Sequence, residues 1–591
     1  MDHSDDSIKT YMKQIIDYYE SIRGKSKKVL SYSFWDLVVV TTSDDAQKNA
    51  FDVQISLKIE RGELPVDVPY HVIADPPGFK IGSGGSTLIA LQNLLTIYGE
   101  KLFAFKILLI HAGGRSQRIP CHSILGKLFV SLPLGNPMFQ MLDLILAIYW
   151  PFTKQMDAGV FLVSSDAFIT YYLTEDDDLS WTFKDSDFTA LAHPSSIEIG
   201  TKHGVYVLPS LSSELSQKSC FTIQCLEILQ KPSAEIMRDK EAIVRTNVNG
   251  TSEEIVYSDS VFYFSSKIMR KFVDYIQSTH IVTCELDAYG DFLQGLGPNG
   301  SSSYIYDTKN VVEISDDLIR TRENLHHLLQ GSSINVIVLQ KSKFYHLGTI
   351  GEYIENLCTN KILAEEMNFQ KWIFSVSAKS GLKSSSFGGT VMHSCIHPNS
   401  VVDETTVLEY CDFPLLLKVN EKCIVSGCLA YGEKLNEVPV QIPSRSLIHT
   451  ASVRVDGTVG YITIAFHFED DLKSNYPFQN ITSIKYFGRF LGHIRPTSFG
   501  CEKYSDLFDG NTKVYSLWTA KLFQMQLTME DSLQVTLKML QNVLNENNTF
   551  EVYSNSIFPY LSMEDILKYK NVEKTIEYRN KLWEKIVKYQ S

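Results

Sequence analysis

The chain has 591 residues, of which 44% are apolar and 21% charged. Those proportions exclude a disordered, collagenous or low-complexity chain. Lys and Arg number 55 against 68 Asp and Glu, a formal net charge of -13. Nucleic-acid surfaces are normally bound through an excess of cations, so no nucleic-acid partner is expected. A local basic pocket for a small phosphate ligand stays compatible with the charge. At roughly 100–200 residues per domain, the length predicts about three to five compact units, or fewer large ones. The opening MDHSDDSIKT is acidic, without an apolar core, and predicts no secretory signal. The densest apolar stretch, MLDLILAIYW from Met141, is short and contains Asp143, so it reads as a buried helix and no membrane association is expected. None of the ten cysteines forms a C-x-x-C pair. They read as reduced thiols of a cytoplasmic protein, and zinc on Cys220 and Cys225 would lack a second pair of ligands.

Taken in chain order, residues 1–30 form a helical lead-in. WDLVVVTT from Trp35 is a β-branched run suited to a buried strand, and Ser43 or Asp44 is placed to cap the helix after it. VPYHVIADPPG is a second strand with a Pro/Gly stop. KIGSGGST is a glycine-rich turn, followed by a helix over LIALQNLLTIYG. FAFKILLIHAGG is a third strand running into a second glycine turn. A helix near 137–150 leads to the strand AGVFLVSSD. Strands alternating with helices predict an α/β fold with a mostly parallel sheet, whose ligands bind at the carboxyl ends of the strands. Further strands are expected at VYVLP, FTIQCLEILQKP and IVYSDSVFYF, and a closing strand, turn and helix at 334–357. This organisation places one domain at 31–370.

The texture then changes. Val401, Val407, Phe413, Val419 and Val425 recur every sixth residue, with Ile396, Val402 and Leu408 one step behind. A hexapeptide period predicts a β-solenoid, over 371–500, with ordinary strands of chance spacing as the alternative. Residues 501–591 read as helices.

Several positions can carry chemistry. In IHAGGRSQRIP, Gly113 and Gly114 let the backbone approach an anion, and Arg115, Arg118 and Lys127 add cations. A tight turn with solvated bases is the alternative. Gly82, Gly84, Gly85, Ser86 and Thr87 open a helix whose N-terminus could face a nucleotide; the run is neither a P-loop nor a dinucleotide fingerprint. Asp166 ends an apolar strand and could hold Mg2+ or cap a helix. The second ligand is sought in CELDAYGDFLQ, where Asp287 is chosen over Glu285 and Asp291, with Asp259 as an alternative. Lys231 precedes Pro232 after a strand and could meet a phosphate. His111 suggests packing or nucleotide positioning, because a phosphate oxygen needs no general base.

The second glycine turn resembles the L-x-G-G-x-G-T-R-L-x-P…P-K signature of the sugar-nucleotide pyrophosphorylases. Ala112 precedes the glycine pair, Ser116 and Gln117 stand in place of Gly-Thr, and Gly126 replaces the proline before Lys127. With GSGGST upstream, the variant resembles the GDP-fucose pyrophosphorylase family. SSD resembles that superfamily's metal-binding strand end, LQKP its E-K-P sugar-phosphate motif with Gln230 in place of the acid, and FYHLGTIGEYIENL its closing segment. The resemblance implies a Rossmann-like, GT-A-like nucleotidyltransferase domain, a left-handed-type β-solenoid and C-terminal helices. It implies that GTP and β-L-fucose 1-phosphate yield GDP-β-L-fucose and diphosphate. In-line attack would be assisted by Mg2+ on Asp166 and Asp287. Arg118 and Lys127 would hold the triphosphate, Lys231 the sugar phosphate, and Ala112, Gly113, Gly114, Arg115 and Ser116 the nucleotide. Two rivals stay open: a sugar kinase using GSGGST, and a catalytically silent regulatory subunit. Monomer and homo-oligomer are equally compatible with the sequence.

Overall fold

A computed structural model describes residues 6–27, 33–174, 180–212, 214–215, 218–248, 251–259, 261–279, 282–309, 311–312, 314–378, 387–431, 439–510, 514–545 and 558–590. Contacts divide the chain into two compact units: 1–114 with 142–345, and 115–141 with 346–591. The division cuts the 31–370 segment at Gly114, Met141 and Tyr345.

The first unit opens with α1 (Asp6–Ile22), which buries Ile8, Met12, Ile15, Ile16, Tyr19 and Ile22 at helical spacing. Strands β1 (Leu37–Thr42), β2 (Tyr70–Ala74), β3 (Lys106–His111) and β4 (Gly159–Ser164) pair in parallel in the order β2-β1-β3-β4. Helix α2 (Asp45–Glu60) is capped by Asp44, whose Oδ1 accepts from the Gln47 N–H at 2.7 Å. Alternate strand residues Leu37, Val39, Ile107, Leu109, Val160 and Leu162 share one core with α3 (Gly82–Tyr98) and the helix Ser266–Thr279. The opposite face packs Phe161 against Trp35, Tyr149 and Phe152. Burial on both faces explains why these strands read as continuous apolar runs.

Past β4 the sheet is mixed. The strand Phe262–Ser265 enters antiparallel to β4 and to Phe188–Ser196, which in turn pairs in parallel with Ile334–Leu339. The run FTIQCLEILQKP breaks into two strands, Cys220–Gln224 and Glu227–Gln230, on different partners. The apolar helix is Met141–Tyr149, shorter than the expected 137–150. Its Asp143 is fully buried and meets Lys58 Nζ at 2.9 Å, Arg23 at 3.5 Å and the Tyr19 hydroxyl at 3.2 Å. Two cations and a donor balance one buried carboxylate, which would otherwise be costly.

In the second unit, strands Thr390–Met392, Val407–Glu409 and Ile424–Ser426 pair in parallel with registers Thr390↔Val407 and Val407↔Ile424, a step of 17 residues. The same step relates Cys395 to Asp412 and Val401 to Lys418 in two further short sheets. Val402, Val407, Phe413, Val419 and Val425 are buried, whereas Val401 is 56% exposed. The sixfold recurrence thus marks one short strand after another, but Val401 falls out of phase because the step is one residue short of three hexads. A long antiparallel hairpin follows, Ser446–Val455 with Thr458–His467. The C-terminal part carries helices Met529–Leu544, Met563–Tyr569 and Val572–Gln590, with 3-10 turns before them and a two-stranded pair, Phe523–Gln524 with Tyr560–Leu561, on either side of the first, so 501–591 is not helical throughout. Lys585 anchors the last helix through Asp412 at 2.7 Å and Tyr431 at 2.6 Å.

Candidate functional site

In the first unit, β1, β2, β3 and β4 end side by side at Thr42, Ala74, His111 and Ser164. Beyond those ends lie Asp44, Asp75, Ala112, Gly113, Gly114 and Asp166. Ala112 is buried, its N–H donating to the Thr41 carbonyl at 3.2 Å, and Gly113 and Gly114 are exposed. Ser164 Oγ donates to Asp166 Oδ1 at 2.6 Å, and the chain then enters the strand Ala167–Tyr171. Asp166 therefore caps no helix; its carboxylate is engaged by Ser164 instead.

The GSGGST segment is not a turn before a helix but the first turn and a half of α3 itself. Gly84 N–H donates to the Leu286 carbonyl at 2.8 Å, and Leu286 N–H to the Ile81 carbonyl at 2.9 Å. A Cβ on Gly82 would lie 2.3 Å from the Leu286 oxygen, and one on Gly84 2.9 Å from the Leu286 Cβ. These glycines serve close docking of the 285–288 backbone, so Gly84 has no N–H to offer an anion. Ser86 and Thr87 are buried, and Gly85 is closed in by Ile81 and Val282. Ser86 Oγ donates to Asp75 Oδ1 at 2.5 Å. Burial, reinforced by Asp44, raises the Asp75 carboxyl to about 6 against the pull of Ser86.

Thr87 Oγ1 lies 2.9 Å from the Ser83 carbonyl, to which it donates, and 2.9 Å from His111 Nε2. A hydroxyl has one proton to give, so Nε2 carries the imidazole proton. Burial lowers the His111 pKa to about 3, keeping the ring neutral. The ring stands edge-on to Tyr289. The sequence expectation of a packing role matches these contacts.

A cleft of about 210 Å³ opens beside the start of α3, lined by Gly82, Ser83, Gln230, Lys231, Glu285, Asp287, Asp291, Gln294, Tyr304, Asp307, Val311 and Arg322. It brings together three segments far apart in sequence: the α3 glycines, LQKP and CELDAYGD. Asp287 Oδ1 accepts from Ser83 Oγ at 3.1 Å and from the Tyr289 N–H at 3.3 Å, and Oδ2 from Gln230 Nε2 at 3.1 Å. Asp291 forms an ion pair with Arg322 Nε at 2.8 Å and accepts from the Asp287 N–H at 2.7 Å. Burial raises Asp291 to about 6, with Arg322 opposing. Lys231 is exposed and holds a left-handed φ of +47°, its N–H donating to the His203 carbonyl at 3.0 Å. A non-glycine residue there costs on the order of 1 kcal/mol, the kind of strain found where a side chain is aimed.

Arg115, Ser116, Arg118 and Lys127 all belong to the second unit. Arg115 is paired with Glu564 at 3.0 Å, and its carbonyl accepts from Ser123 Oγ at 2.6 Å. Ser116 takes φ +47°. Arg118 is exposed, with no side-chain ion pair among the described residues. Lys127 is half-buried near His122, whose pKa burial lowers to about 3.

Among the described residues no three His, Cys, Asp or Glu side chains gather as a metal cluster, and Cys220 and Cys225 are buried free thiols. The Asp259 side chain lies outside the described residues. Sequence reasoning missed Ser83, Gln294, Tyr304, Asp307, Arg322 and Asp75. Ser83 stood inside a quoted motif, and Asp75 closes a strand before Pro-Pro-Gly. Nothing local marks the others.

The first unit is a mixed α/β fold whose polar cleft carries one exposed lysine and several carboxylates. Known proteins resemble the chain over most of its length. The family described as the fucose pyrophosphorylase domain matches residues 99–528. The chain is 36% identical over 592 residues to a human fucose-1-phosphate guanylyltransferase, covering 98% of this chain and 95% of that protein. The mouse protein of the same description is 36% identical over 582 residues, covering 96% of this chain and 95% of its own length. A bifunctional fucokinase/GDP-fucose pyrophosphorylase of Arabidopsis thaliana is 27% identical over 239 residues, which are 36% of this chain and 22% of that protein. The chain belongs to the fucose pyrophosphorylase family.

Proposed function

We propose that the protein is a fucose-1-phosphate guanylyltransferase, joining GTP and β-L-fucose 1-phosphate into GDP-β-L-fucose with release of diphosphate. The observation that carries this is likeness to guanylyltransferases along nearly the whole of both chains. The cleft adds chemical support, because its lining includes Lys231, whose ammonium is a suitable counter-charge for a sugar phosphate. The phosphate oxygen is already ionised, so the protein's task is to position two anions and stabilise charge on the α-phosphate and the leaving group. Lys231 neutralises the sugar phosphate. Arg118 and Lys127 are assigned to the triphosphate and departing diphosphate by their place in the motif, and Gly113 and Gly114 to the nucleotide through backbone N–H groups.

Magnesium suits the donors: it prefers one or two hard carboxylates plus phosphate oxygens, so it needs no three-residue cluster. Asp166 and Asp287 would hold it. Asp287 already accepts three hydrogen bonds and has about one lone-pair position left. Bound there, the ion would supply charge stabilisation for the phosphates.

A β-solenoid reading of the second unit's short parallel sheets draws support from their 17-residue step. No described helix is long and apolar enough to cross a membrane, and ten free thiols favour a cytoplasmic setting. The kinase rival loses its loop, because GSGGST is helical and its glycines dock backbone. The silent-subunit rival is tested with the enzyme. Diphosphate release is measured with Mg2+, crossing GTP, ATP and UTP with fucose, mannose and glucose 1-phosphates. Release confined to GTP with fucose 1-phosphate, and lost in Arg118→Ala and Asp166→Ala, is expected. GTP binding without release from any pair would overturn the enzyme reading.

A further inference from the structure

We infer that the cleft beside α3 is the sugar subsite, and that Gln294 and Asp307 select the sugar by accepting hydrogen bonds from its hydroxyls. The inference rests on the activity proposed above and deepens it. Most charged groups around the cleft are already engaged. Glu285 pairs with Lys80 and accepts from the Val312 N–H at 2.8 Å. Asp287 is held by Ser83 and Gln230, and Asp291 by Arg322.

What stays available is specific. Lys231 presents an ammonium. Gln294 uses its amide N–H toward the Gly290 carbonyl at 3.4 Å, and its side-chain oxygen has no donor among the described residues. Asp307 Oδ1 accepts from the Lys309 N–H at 3.0 Å, and Oδ2 has no donor among the described residues. Gln230 adds a buried side-chain oxygen with no hydrogen-bond partner among the described residues. One cation beside these acceptors complements a ligand with one anionic group and several hydroxyl donors, which is a sugar monophosphate.

The alternatives fit worse. The volume, about 210 Å³, is below the roughly 300–1,000 Å³ of sites that enclose drug-sized ligands, so it suits one sugar ring better than a nucleotide. Val311, partly buried in the wall, offers an apolar contact that suits the methyl of a 6-deoxy sugar better than a hydroxymethyl.

The test uses calorimetry on the full chain, wild type and the variants Asp307→Asn and Gln294→Ala. Fucose 1-phosphate is titrated in the presence of a GTP analogue with a non-cleavable α–β bridge, and the analogue is titrated separately. Thermal melting checks that both variants fold; Asp307 is exposed, so its amide is sterically mild. Each variant should weaken fucose 1-phosphate by about tenfold and leave the GTP analogue within about twofold, the effect of one lost hydrogen bond to a ligand hydroxyl. Weaker binding of the analogue alone would make the cleft a nucleotide site and overturn the inference. So would unchanged binding of both ligands, or no binding of fucose 1-phosphate by wild type. Wild-type binding of fucose 1-phosphate, weakened in the variants but without diphosphate release, would keep the subsite and reject the transferase.

Discussion

At the scale of single residues, Gln230 explains a departure from the family motif. The related E-K-P pattern carries an acid where this chain has Gln230. Here Gln230 Nε2 donates to Asp287 Oδ2 at 3.1 Å. A glutamate would replace that donor with a second carboxylate, and of two carboxylates sharing a site one is held protonated to higher pH. Gln230→Glu is therefore expected to lower kcat/KM at pH 8 by at least about tenfold and to recover part of the loss near pH 6, where one of the pair is protonated. A pH–rate profile against wild type checks this; parallel profiles would show that Gln230 and Asp287 do not communicate. Lys231 and Asp287 were legible because strand-end lysines and acids stand out beside proline or in an acidic run. Asp307 and Gln294 were not, since their meaning comes only from which neighbours are already engaged. Thr87 was legible as part of a glycine-rich helix start, but the contacts of its hydroxyl with Ser83 and His111 were not.

At the scale of elements, most strands of the parallel half were plain in the sequence, because β1, β3 and β4 are buried on both faces and read as apolar runs, whereas the edge strand β2 is only partly buried. The antiparallel continuation was not plain, because strand direction leaves no mark in a short apolar segment. The glycine-rich start of α3 shows the same limit. Flexible turn and close helix docking demand the same residue, and only the contact with 285–288 separates them. Gly82 tests the docking account. It has φ +68°, and an added Cβ would lie 2.3 Å from the Leu286 carbonyl oxygen. Gly82→Ala should destabilise the fold by about 2–4 kcal/mol through strain and overlap, and should also displace Asp287 from the cleft. The urea midpoint should fall, and activity measured well below the transition should fall with it. A stability loss with full activity would show that the 285–288 backbone does not set the position of Asp287. The segment 115–141 is the hardest case: its basic residues were legible, its membership of the second unit was not, because that depends on contacts with residues beyond 346.

At the scale of the whole molecule, the balance of buried titratable groups sets how stability responds to pH. His111, His122 and His449 are buried and lowered to about 3. Their folded pKa values lie below the unfolded value near 6.5. The stability they contribute is therefore present above pH 6.5 and lost as pH falls toward 3. Asp75 and Asp291 are raised to about 6 and Asp470 to about 7, each chiefly by burial. Their contribution has the opposite sign, present below the unfolded value near 4 and lost as pH rises through 6 to 7. Between pH 5 and 8 these histidines lower stability on acidification and these carboxyls raise it; His71 and His467, also lowered by burial, join the first set, and Glu409, raised by burial, joins the second. The opposed slopes should flatten the wild-type profile across that window. Below about pH 5 the unfolded carboxyls also begin to titrate, and stability should fall steeply. Removing one member of the balance exposes the other. In Asp470→Asn the folded state loses one proton site, so stability should decline on acidification from pH 7 to 5 by about 1.4 kcal/mol per pH unit at most. In a His449→Asn variant the sign should reverse, with stability rising over the same interval. Urea unfolding of the three proteins at pH 5, 6, 7 and 8 measures all three slopes. Equal slopes would mean that these groups are not buried in the protonation states that their surroundings impose.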